Sequence, residues 1–134
     1  MKTFRNIIAI TLLLIAMTSC NKKYDVTGVW TCITMEQGGR NSTIIKKETL
    51  TLTSDGEITE ETINQGFLDF SMSCTGIYRV SNDTILITYT KSYINGKRVP
   101  MDIIPDNIKK KILKVDKDSL VYMQDNKITR MKRK

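Results

Sequence analysis

From Leu68 to Val80 the apolar residues return at every second position. Leu68, Phe70, Met72, Cys74, Tyr78 and Val80 share one parity, with Gly76 among them. Asp69, Ser71, Ser73, Thr75 and Arg79 stand between and are polar. A period of two with one apolar face describes a half-buried antiparallel strand. Ile85, Ile87 and Tyr89 repeat the pattern against Thr84, Thr88 and Thr90, with Leu86 the exception. The run from Phe67 to Val80 is long for one strand, which predicts a bulge or bend near Gly76.

The rest of the chain from Val26 follows the same rhythm. Runs begin at Gly28, Thr43, Glu57, Phe67, Thr84, Lys111, Ser119 and Ile128. Turn residues divide them, among them Asp55-Gly56, Asn82-Asp83, Asn95-Gly96 and Asp125-Asn126. Asp-Gly and Asn-Gly supply the positive φ that tight hairpins need. About eight such runs predict an all-β chain, an antiparallel up-and-down meander that closes into a barrel. Arg98 to Lys110 breaks the rhythm. It holds both prolines, Pro100 and Pro105, and proline cannot donate to a sheet ladder. It reads as a long loop, with Asp106 to Lys110 as a helical turn.

The first residues have a different character. Lys2 and Arg5 precede an apolar run from Ile7 to Met17, broken only by Thr11, and Met17-Thr18-Ser19-Cys20 closes it. A charged start, a short apolar core and small residues at the end have the layout of a secretory signal. The core is too short to span the ~30 Å hydrocarbon layer as a helix. The closing residues resemble a bacterial lipobox. That resemblance implies cleavage before Cys20 and acylation of its thiol, with palmitate among the chains, so that Cys20 joins the protein to a membrane. Residues 1–19 are then the signal and 20–25 a lipidated tether. The 115 residues from Cys20 onward suffice for one domain with its own core.

Gly28-Val29-Trp30 opens the first strand directly after that tether. Here the chain resembles the lipocalin-like barrels of bacterial lipoproteins, whose first strand carries Gly-x-Trp. Leu50 to Gly56 and Gly76 to Ile87 carry the same likeness. The resemblance implies that residues 26–134 form a short lipocalin-like barrel and that Trp30 plugs its closed end. It also implies that an arginine of the last strand, here Arg130, lies over the indole. This chain is shorter than a full lipocalin.

Parity turns Phe70, Met72, Tyr78, Ile87, Tyr89 and Tyr122 inward, with Leu50, Leu52 and Leu120 as companions. Two readings follow. These side chains line a site for a small apolar ligand, or they fill the barrel. Cys32 and Cys74 share inward parity. Facing sheets stand ~10 Å apart, whereas a disulfide needs Cα atoms within ~7 Å, so two buried thiols are expected rather than a bond.

Other chemistry finds little support. There is no histidine, which removes nucleophile–histidine pairs and His-based metal sites. Glu57, Glu60 and Glu61 read as a solvated strand face. Lys109-Lys110-Lys111 and the basic C-terminus read as solvated strand ends, not a nucleic-acid surface. Asp83-Thr84-Ile85 and Asp118-Ser119-Leu120 are similar to an O-glycosylation acceptor pattern, and are also ordinary turn chemistry. The expectation is a non-enzymatic module without metal or cofactor. It is a carrier of a small apolar ligand or a structural or protein-partner accessory with a filled barrel. Asn21-Lys22-Lys23 lacks acidic residues, which points to an outer-membrane protein facing the periplasm rather than the cell surface.

Overall fold

The computed structural model describes residues 24–40, 42–66 and 69–134. The signal segment and Cys20 lie outside the described residues, as does Leu68. Among the described residues nine strands follow one another: β1 (Gly28–Gln37), β2 (Thr43–Leu52), β3 (Glu57–Gln65), β4 (Phe70–Ser81), β5 (Thr84–Ile94), β6 (Lys97–Val99), β7 (Ile108–Val115), β8 (Ser119–Gln124) and β9 (Lys127–Arg133). Each of β1 to β5 pairs antiparallel with the next, β7 to β9 continue the meander, and β1 closes on β9. The result is a closed eight-stranded antiparallel barrel, with short β6 hydrogen-bonded to the far end of β5. Among the described residues no helix is long and apolar enough to cross a membrane.

The hairpins close where the sequence places turn residues. Asn95-Gly96 and Asp125-Asn126 each put both residues at positive φ, the backbone twist that two-residue hairpins require. Asp116 closes the β7–β8 turn. Its carboxylate accepts from the backbone N–H groups of Asp118 and Ser119 and from the Ser119 hydroxyl. These bonds lower its pKa to about 2.

Two bulges set which side chains enter the barrel. Thr75 pairs with Lys91 but Gly76 pairs with Tyr89, so Thr90 is the extra residue. A Cβ on Gly76 would stand 2.1 Å from the Thr88 carbonyl oxygen, so only glycine lets the strands approach here. Past this bulge the parity of β5 changes, and Ser92 rather than Lys91 is buried. In β7, Leu113 is the second extra residue.

The segment expected to be a loop is more regular than its prolines suggest. Lys97–Val99 is a strand, and Met101–Ile103 forms one 3₁₀ turn between the prolines. The helical turn expected over Asp106 to Lys110 does not form. β7 starts at Ile108, because Ile108, Lys110 and Ile112 alternate along the inner wall and pair with β5 and β8.

The apolar core occupies one end of the barrel. Trp30, Leu50, Leu52, Ile58, Ile85, Ile87, Leu120 and Met131 are almost wholly removed from solvent. The N-terminal segment crosses this end, with Val26 buried and accepting a hydrogen bond from the Trp30 indole N–H at 2.8 Å. Both the entering segment and the last residues of β9 lie here. The seam between β1 and β9 is short, with register pairs only at Trp30–Arg133 and Thr31–Lys132. Beyond it, Ile33 and Met35 are exposed.

Candidate functional site

The arginine over Trp30 is Arg133, not Arg130. The Arg133 guanidinium carbon lies 4.2 Å from the indole centroid. The reason is strand parity. Met131 faces the core, so Arg133 shares its side, whereas Arg130 is exposed and pairs with Val121. Arg133 also donates to the Thr27 carbonyl at 3.0 Å and to the Lys117 carbonyl. It thereby ties the entering segment, the β7–β8 turn and the last strand together. A Cβ on Gly28 would lie 2.2 Å from the Arg133 guanidinium, and its φ of +136° disfavours any other residue. Glycine at position 28 therefore has a steric role in this chain: it leaves room for the arginine.

The residues expected to line the lumen meet different fates. Ile87 and Tyr122 are buried in the core cluster, and Tyr78 and Tyr89 pack against it. The Tyr78 hydroxyl donates to the Thr53 carbonyl at 2.6 Å. Tyr89 donates to Glu60. Phe70 and Met72 are half-buried and lie outside the core cluster. Phe70 borders a shallow groove of about 200 Å³ near the open rim, with Asn64 and Asn95. Cys32 and Cys74 are free thiols, but Cys32 is half-buried rather than buried as expected. Cys74 is buried and lies 3.6 Å from the Ser92 hydroxyl. Burial, and then the Glu60 charge, push its pKa up.

Charged residues, Lys110 and Glu60 among them, occupy the lumen where apolar side chains were expected. Lys110 is 1% exposed. Its ammonium donates to Glu60 Oε1 at 3.2 Å and to Gln124 Oε1 at 2.7 Å. It also stands 4.6 Å from the centroid of the Tyr122 ring. Glu60 and Lys110 belong to strands three apart around the barrel, so their ion pair spans the lumen. Glu60 and Lys110 are therefore not the solvated face and strand end expected. Parity carried the signal. Lys110 alternates with Ile108 and Ile112, and Glu60 alternates with Ile58. Burial raises the hydroxyl pKa of Tyr89 and of Tyr122, and the Glu60 charge raises both further. Both phenols stay protonated, and the Tyr89 hydroxyl donates to Glu60.

Nearer the open end, Lys46 and Glu48 form an ion pair at 2.9 Å, partly exposed. Asn64, opposite Lys46 on β3, has a buried side-chain oxygen without a hydrogen-bond partner among the described residues. Among the described residues no three His, Cys, Asp or Glu side chains are grouped to hold a metal ion. On the outer wall, a groove of about 400 Å³ lies over β4, β5 and the start of β7. No protein-family model matches this chain, and a search of curated proteins finds no similar sequence.

Proposed function

We propose that this chain is a lipid-anchored, lipocalin-like accessory module of the cell envelope, whose barrel is a filled scaffold and whose binding surface is its outside. The observation that carries this reading is the cross-lumen network. Lys110, Glu60, Tyr89, Tyr122 and Gln124 occupy one another at the level where a ligand would sit. A charged pair that is satisfied internally offers little to an apolar guest, which would have to separate and desolvate it.

The anchor rests on the run Met17-Thr18-Ser19-Cys20 behind its charged, apolar leader. Val26, locked beneath Trp30, is six positions after Cys20. An extended tether of that length reaches ~20 Å at most. The closed end would then face the membrane, and the absence of acids from Asn21-Lys22-Lys23 favours the periplasmic side. Cys20→Ala in the native host moves the protein out of the membrane fraction on this reading. Retention of the variant in the membrane would defeat the anchor.

Carriage of a small apolar ligand inside the barrel is the second reading, on Phe70, Met72, Tyr78, Ile87, Tyr89 and Tyr122. It is favoured by the unpartnered oxygen of Asn64 and by Glu60, whose side chain is 26% exposed. Mass spectrometry of protein purified from its host separates the two. A stoichiometric copurifying small molecule, beyond the covalent lipid, supports carriage. Its absence supports the filled scaffold.

A further inference from the structure

The outer wall formed by β4, β5 and β7 has an arrangement that the lumen does not. Its register puts Arg79 opposite Leu86 and Leu86 opposite Lys109. One row across three strands therefore reads cation, leucine, cation. Side chains directly opposite one another stand ~5 Å apart at Cβ, so the two charged arms flank Leu86 from both sides. In the next row Ile77 faces Thr88, and Ile77 is 60% exposed. Asn107, at φ +56°, completes the edge where the chain turns into β7.

These rows border the groove of about 400 Å³. Ile77 and Leu86 give it apolar surface, and Arg79, Lys109 and Asn107 give it donors. The volume lies within the ~300–1,000 Å³ of small-molecule sites. Lys111, opposite Thr84 one row further on, adds a third cation. Among the described residues the ion pairs are Lys46–Glu48, Lys110–Glu60 and Lys114–Asp116. None of them neutralises Arg79, Lys109 or Lys111. An apolar strip between unneutralised cations is complementary to one kind of molecule, an apolar body with a negative head.

We propose that this outer groove binds a soluble single-chain amphiphile with an anionic head, a carboxylate or phosphate monoester. The head sits between Arg79 and Lys109, where a fork of guanidinium donors and an ammonium both reach it. The tail covers Ile77 and Leu86. The site rests on reading the barrel as a filled scaffold, and it gives that scaffold a ligand class and a place to hold it.

The test uses the full chain in zwitterionic nanodiscs, with isoleucine and leucine methyl groups labelled for NMR. The probe is hexyl phosphate; hexanol and inorganic phosphate each supply half of its chemistry. The Ile77 and Leu86 methyl signals shift saturably with hexyl phosphate, and at least about tenfold more weakly with either half. Arg79→Gln with Lys109→Gln weakens hexyl phosphate binding about tenfold or more. Both residues are exposed, so the remaining methyl spectrum reports that the fold is kept. Three results would overturn the site: equal response to hexanol, native affinity in the double variant, or a response to anionic vesicles alone. A shift of the Leu50 and Leu120 methyls instead would move the ligand into the lumen and overturn the filled scaffold with it. No shift anywhere would remove the groove while leaving that scaffold standing.

Discussion

The two halves of the barrel are filled by opposite means. At the closed end, Leu52, Ile58, Ile85, Leu120 and Met131 surround Trp30, and the Arg133 guanidinium lies on the indole from outside. In the other half a lysine, a glutamate, two tyrosines and a glutamine cross the lumen. The first half is held by burial, which is non-directional and scales with area. The second is held by donor–acceptor geometry, which specifies an arrangement but gains little net energy over an apolar filling of the same shape. Substitutions should therefore behave differently in the two halves.

The largest effect is expected at the closed end. Trp30→Ala removes the biggest wholly buried side chain and costs about 3–5 kcal/mol of unfolding free energy. Urea unfolding measures it. A loss below about 1 kcal/mol would mean that the end refills freely, contrary to a close-packed core.

The lumen pair comes next. Lys110→Met leaves the Glu60 carboxylate without its cation and costs about 1–3 kcal/mol, discounted because Glu60 retains some solvent. Adding Glu60→Leu should recover most of that loss, because removing both charges removes the desolvation penalty as well. The same unfolding measurement on both single variants and the double completes the cycle. Additive losses would show that the two halves are held alike, and the contrast would fail.

The smallest effect separates the two arginines. Arg133→Ala costs about 1–2 kcal/mol through the lost stacking and carbonyl contacts. Arg130→Ala stays within about 0.5 kcal/mol, as befits an exposed side chain. Thermal unfolding of the pair ranks them, and the reverse order would return the indole to Arg130.

The fold was legible because alternation and turn chemistry agree along most of the chain. Phe70 to Val80 and Ile85 to Tyr89 reveal their inner face by parity. Asn95-Gly96 and Asp125-Asn126 mark their hairpins, and Gly76 marks its bulge. The interior polar residues were obscured by residue type. Glu60 and Lys110 sit on inward parity, but charged side chains are rarely buried unless paired, and their pairing is between strands far apart in sequence. The resemblance supplies a motif but no register and so points to Arg130; counting parity from Met131 selects Arg133. The groove on the outer wall was invisible for the same reason. Arg79, Leu86 and Lys109 become neighbours only once β4, β5 and β7 are aligned.

The short β1–β9 seam also has a mechanical meaning. Tension applied at the N-terminal segment reaches Val26 and Thr27 first and passes directly to Arg133 and the end of β9. With two register pairs in the seam, the ladder there can share little of the load. Arg133 is thus placed as a rivet between the leash and the shell. A protein held by its leading residues would resist peeling through that side chain together with the Trp30–Val26 hydrogen bond and the β1–β2 ladder.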